Sequence, residues 1–121
     1  MSQIAPPKLK VEVRPQIKAA KGGSGTEYNY RLTNNDTVPI TSFMLGCAAN
    51  GCQVTGTPTG WKELPHGGAA WVITDPKYAI QPGKHLDGFT VVGSPNQDNV
   101  SYGVVASGQA AAHGMVLGPG N

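Results

Sequence analysis

The stretch TEYNYRLT, Thr26 to Thr33, decides the fold. Tyr28, Tyr30 and Leu32 alternate with Glu27, Asn29 and Arg31. A period of two sends successive side chains to opposite faces, so this segment reads as a strand with one oily face and one wet face. The segment before it repeats the pattern. In KLKVEVR, Lys8 to Arg14, Leu9, Val11 and Val13 alternate with Lys8, Lys10, Glu12 and Arg14. Pro15 interrupts that alternation, and the following QIKAA resumes it as an edge, where a missing N–H is tolerated. KGGSG, Lys21 to Gly25, is the turn between the two segments.

Working outward in the other direction, NNDTVP (Asn34–Pro39) is a turn built from residues that start Asx turns, and ITSFML (Ile40–Leu45) is a third strand. A short strand at Gln53–Thr55 and a Pro/Gly turn at Thr57–Gly60 lead to an aromatic segment from Trp61. PHGG (Pro65–Gly68) turns into the strand AAWVIT (Ala69–Thr74), and Pro82-Gly83 marks a turn. LDGFTVV (Leu86–Val92) is a strand with a bulge at Gly88, GSPNQDN (Gly93–Asn99) a loop, and VSYGVVAS (Val100–Ser107) the last strong strand. The count is about seven or eight short strands with turn signals roughly every 8–12 residues, and no helical period competes. That rhythm predicts an all-β fold, a single antiparallel β-sandwich of immunoglobulin-like dimensions; a small β-barrel is the alternative. The expected organisation is a flexible arm over 1–7, the sandwich over 8–107, and over 108–121 a Gly-rich tail that is either a linker or a short extra strand. Phe43, Trp71, Phe89 and Tyr102 are the expected aromatic core.

Composition agrees. Only 13% of residues are charged, against about 25% in ordinary soluble domains. The 17 Gly and 10 Pro favour turns over long helices. The net charge of +2 is too mild to argue for nucleic acid. The N-terminal lysines fit an edge strand guarded against aggregation better than a polyanion site. No run approaches the ~20 apolar residues of a membrane helix. The opening MSQIAPPKLK has no apolar signal-peptide core, and the expectation is a mature segment with an added Met.

Cys47 and Cys52 are the only cysteines, and they enclose AANG. Asn50-Gly51 favours positive φ and a tight reversal, which brings the Cα atoms toward the ~5.5–6 Å that a disulfide needs. A disulfide is expected, stiffening a loop after the third strand by about 2 kcal/mol. It implies an oxidising compartment: secreted, periplasmic or cell surface. The spacing is not C-x-x-C, which argues against redox catalysis. His66, His85 and His113 are widely separated, so neither a metal nor a cofactor is expected.

For function, Trp61 follows the turn TPTG, and Tyr78 sits in the loop DPKYAI. If exposed, they can stack on sugar rings, with Asn96 or Asp98 adding polar contacts; the competing reading is that Trp61 plugs the open end of the sandwich. The carboxylates are scattered and mostly in turns, and no nucleophile elbow or phosphate loop is present. Asn35-Asp36-Thr37 and Asn99-Val100-Ser101 match the glycosylation acceptor pattern by composition alone. The expected function is therefore a non-enzymatic structural or protein-interaction module, with a carbohydrate-binding module as the alternative. Expected partners are other proteins or extracellular polysaccharide, including further copies of the chain.

The order YNYRLTNNDTVPITSF, PTGW, a second Trp at Trp71, IQPGKHLDGFTV and SYGVV resembles bacterial secreted immunoglobulin-like β-sandwich modules. The resemblance spans roughly Thr26 to Ala106 and rests on core and turn residues, so it implies a fold and no single activity. The class includes adhesive, surface-anchored and carbohydrate-associated modules. This chain departs from the best-known sandwiches in lacking cysteines far apart in sequence.

Overall fold

Two antiparallel sheets lie face to face in the computed structural model, which describes residues 9–20, 25–47, 52–64 and 69–120. Nine strands occur among the described residues: β1 (Val11–Ala19), β2 (Thr26–Asn34), β3 (Ile40–Leu45), β4 (Cys52–Gly56), β5 (Trp61–Glu63), β6 (Ala69–Ile73), β7 (His85–Gly93), β8 (Gln97–Ala106) and β9 (Ala111–Pro119). One sheet has the order β1-β2-β7-β4, the other β5-β6-β3-β8-β9. The fold is a β-sandwich, and the barrel alternative falls. The arm over 1–7 and the reversal at Asn50-Gly51 lie outside the described residues.

The alternation read from the sequence is what the sheets bury. Tyr28, Tyr30 and Leu32 are fully enclosed, and Leu9, Val11, Val13 and Ile17 point the same way from the neighbouring strand. Five rings form the centre. Phe43 stacks on Trp71 with centroids 5.6 Å apart, and Phe89 meets Phe43, Trp61 and Trp71 edge-on at 5.3, 5.0 and 5.4 Å. Tyr30 lies 6.0 Å from Phe43. Edge-on contacts set the positive rim of one ring against the negative face of another, worth about 0.5–1.5 kcal/mol each beyond area burial. Three of the four expected core aromatics lie at this centre. The fourth, Tyr102, is half-buried, its ring seated over Gly114, where a Cβ would come within 2.7 Å of its hydroxyl. Tyr28 and Tyr30 are fully buried instead, because each phenol finds a carbonyl: Tyr28 donates to Ser94 O (2.7 Å) and Tyr30 to Leu117 O (2.9 Å).

Pro15 does not end β1. The strand runs through it, paired Pro15 to Tyr30, because β1 is an edge and the ladder needs no N–H on that side. Gly88, at φ +111°, sits where β7 carries one residue more than β2 between the Tyr30–Phe89 and Leu32–Leu86 pairs, the expected bulge. The Pro82-Gly83 turn closes with Lys84 N–H on Gln81 O at 3.0 Å, Gly83 taking φ +80°.

Beyond residue 107 the chain takes the second of the two forms expected for the tail, an extra strand. Ala111–Pro119 forms β9, paired with β8 from Val105–Ala111 to Gln97–Pro119. Small residues hid it, since Ala and Gly are poor strand formers; the ladder to β8 and the burial of Ala112 and Val116 hold it in place.

Cys47 and Cys52 are joined, with Cα atoms 5.9 Å apart. Cys47 follows β3 of the five-stranded sheet and Cys52 opens β4 of the four-stranded sheet. The bond therefore ties the two sheets where the chain crosses between them, and its role exceeds the stiffening of a loop.

Candidate functional site

The four residues expected to bind ligand do not converge. Trp61 pairs with Ile73 at the end of the sandwich that holds Ile40. Asp98 lies at the opposite end, beside Gly118. By the register through Ala69, Leu45 and Tyr102, Trp61 and Asp98 stand roughly 25 Å apart along the strands. No glycan ring spans both groups.

Trp61 is also enclosed. It is 6% exposed, its ring crosses the gap to Phe89 at 87°, and its indole N–H donates to Tyr78 O at 3.1 Å. This burial fits the competing reading of Trp61, a plug at the end of the sandwich. Three residues of strand after a turn carry no alternation that could have told the two apart. Tyr78 ends a short 3₁₀ turn, Pro76–Tyr78, capped by Asp75, which accepts from Lys77 N–H at 3.0 Å. Its half-buried ring lies against Gly60, which takes φ +83°, and the Lys77 ammonium sits 5.2 Å from the ring centre. Asn96 and Asp98 are exposed and serve the local backbone: Asn96 O accepts from Gly120 N–H at 2.7 Å, and Asp98 accepts from Asn99 N–H at 2.8 Å.

The two outer faces differ sharply in charge. On the four-stranded sheet, Arg14 pairs with Glu12 (3.0 Å), Lys18 with Glu27 (3.2 Å) and Arg31 with Asp87 (2.7 Å). The Asp87 hydrogen bonds and charge push the Arg31 pKa further above its ordinary value. These exposed pairs add little to stability; they define a solvated surface. Asp36, in the β2–β3 turn, has its pKa lowered by the backbone N–H groups of Lys10 and Thr37. On the five-stranded sheet, β3, β6 and β9 carry no Asp, Glu, Lys or Arg. Met44 (39% exposed), Met115 (61%) and Leu117 (42%) point outward from it. Between β3 and β9 runs an open groove of about 560 Å³, lined by Met44, Gly46, Ser101, Gly103, His113 and Met115 among others. Sequence reading missed this face because it depends on β9. Once β9 is a strand, His113, Met115 and Leu117 fall on one side by simple alternation.

Among the described residues there is no cluster of three or more His, Cys, Asp or Glu that could hold a metal ion. No helix there is long and apolar enough to cross a membrane.

The sheet orders and the central aromatic cluster define an immunoglobulin-like β-sandwich. The chain is similar to a protein from Nocardia farcinica whose crystal structure shows an immunoglobulin-like fold, with a TM-score of 0.66 and 15% identity over 84% of this chain and 81% of that one. That protein is itself described as uncharacterized, and at this identity the likeness concerns the fold. No protein-family model matches the chain. No curated protein matches it either.

Proposed function

We propose that the protein is a non-enzymatic structural module, working in an oxidising, extracytoplasmic compartment, that associates with further copies of itself through the outer face of the five-stranded sheet. The observation that carries this reading is the charge asymmetry of the two outer faces. Over β3, β6 and β9 the face has no carboxylate or ammonium group; its charges are confined to Lys62 and Glu63 on the edge strand β5 and Asp98 near the end of β8. A second copy presents the same uncharged centre, so a two-fold pairing over β6, β3, β8 and β9 sets no pair of like charges directly against each other there. The four strands β6, β3, β8 and β9, ~4.8 Å apart, offer on the order of 400 Å² per partner, at or below the lower limit for a specific interface. The association is therefore weak. The Cys47–Cys52 bond supports the compartment, since such bonds persist where thiols are not kept reduced. The carbohydrate reading loses its main support with the burial of Trp61.

Sedimentation equilibrium from micromolar to millimolar protein tests the proposal. A monomer–dimer equilibrium is expected, abolished in the Met115→Lys, Leu117→Lys double variant. A strict monomer at millimolar concentration, or a dimer indifferent to those changes, overturns it.

A further inference from the structure

We infer that Met44, His113 and Met115 form a binding site for a soft monovalent metal ion, Cu(I). Met44, Gly103 and His113 stand in one row across β3, β8 and β9. Two ladder spacings would keep the outer Cα atoms about 10 Å apart. The middle residue has no side chain, and both neighbours lean over it. Met44 Sδ lies 3.5 Å and His113 Nδ1 3.6 Å from the point where a Cβ on Gly103 would sit, so the two donors are within about 7 Å of each other. Met115 is two residues along β9 on the same face, opposite Ser101, and lines the same groove. Thioethers on chains with three rotatable bonds close such a gap by rotamer change alone.

The donor chemistry selects the ion. Thioether sulfur is soft and favours Cu(I); imidazole is compatible with it. Hard cations such as Ca²⁺ and Mg²⁺ require clustered oxygens, usually carboxylates, and no carboxylate lines the groove. All three donors can bind as neutral groups, so the site would carry only the ion's own single positive charge. A dication would leave twice that charge uncompensated on an apolar face. The His113 imidazole has no hydrogen-bond partner among the described residues, so no internal bond must break before it binds. The competing thiols are absent, because both cysteines are held in the disulfide.

This site does not depend on the self-association reading. Its test is competition with the Cu(I) chelator bicinchoninate, under anaerobic ascorbate, which holds copper reduced without a thiol. Protein at low micromolar concentration keeps the sheet face uncovered. One Cu(I) per chain is expected, and X-ray absorption should show both sulfur and nitrogen around the ion. Met44→Leu, Met115→Leu and His113→Asn should each weaken binding by at least about tenfold, the loss that removing even an outer partner of a metal ligand brings. These are surface substitutions, and circular dichroism checks that each variant remains folded. No uptake, or uptake that survives the triple variant, overturns the assignment. Either result leaves the monomer–dimer measurement, made without copper, to stand or fall separately.

Discussion

The side-chain amide of Asn34 donates to the carbonyl of Ile80 at 2.8 Å, and the same nitrogen donates to Val38 O at 2.8 Å. Asn34 ends β2, and Ile80 bridges to Ile40 at the start of β3. The Asn34 Oδ1 accepts from Asp36 N–H at 2.9 Å, and its backbone exchanges bonds with Gly83 and Lys84. One fully buried side chain thus fixes the β2–β3 turn to the connection that leads into β7. Asn34→Ala leaves buried carbonyls and an amide unpaired, so a loss of about 3 kcal/mol is expected, read as a lowered urea midpoint. Asn34→Asp should be worse, because a carboxylate would face two carbonyl oxygens with no proton to share. Equal stability of the two variants would count against this role.

The disulfide should behave as a clip between sheets. Its loop is short, with a sequence separation of 5, so the chain-entropy model gives about 2 kcal/mol for closing it. Reduction, or a Cys47→Ser, Cys52→Ser double variant, should lower stability by that amount without changing the denaturant slope. It should also speed hydrogen exchange in Cys52–Gly56 more than in β2. Uniform exchange across both sheets would reduce the bond to a local turn staple.

Tyr30 links the sheets by its hydroxyl, donating from β2 to Leu117 O of β9. Burial, with a smaller contribution from Tyr28, pushes its pKa above the ordinary tyrosine value. The folded protein therefore holds this proton at pH values where an unfolded chain has already released it. The tyrosine contribution should be constant below about pH 10 and then fall by up to about 1.4 kcal/mol per pH unit for each such tyrosine. Tyr28, raised by burial, adds to the same slope. Tyr30→Phe should cost about 1 kcal/mol at neutral pH through the lost hydrogen bond. It should also flatten the alkaline slope, measured by urea unfolding at stepped pH. An unchanged slope would place the ionisation elsewhere.

What could be read from the sequence was whatever alternation marks. Tyr28, Tyr30 and Leu32 announce their face because polar residues separate them. β9 was obscure because its inward residues are Ala112, Gly114, Val116 and Gly118, small enough to resemble a linker. The smallness has a reason: Gly114 makes room for the Tyr102 ring, and Gly118 lies under Val100 and the Tyr30 hydroxyl. Asn34 was legible as the start of an Asx turn, and Asp36 N–H does close that turn. Its burial was not legible, because Ile80 lies 46 residues away and only the fold brings it there. The outer face of the five-stranded sheet was lost with β9, since Met44 alone, flanked by Phe43 and Leu45, shows no pattern.

Trp61 offers the most direct optical check. Both indoles are enclosed: Trp61 against Phe89, with its N–H on Tyr78 O, and Trp71 against Phe43, with its N–H on Thr57 Oγ1 at 3.2 Å. Emission of the folded protein should be blue-shifted and resistant to iodide quenching, and it should stay constant through titration with a panel of polysaccharides. Trp61→Phe keeps an apolar ring against Phe89 but removes the bond to Tyr78, so a loss of about 1 kcal/mol is expected. Trp61→Ala empties the gap between the sheets, and about 3–5 kcal/mol should go with it. A polysaccharide that shifts the emission, with the shift removed by Trp61→Phe, would mean that the ring reaches solvent. It would also restore sugar stacking as the function.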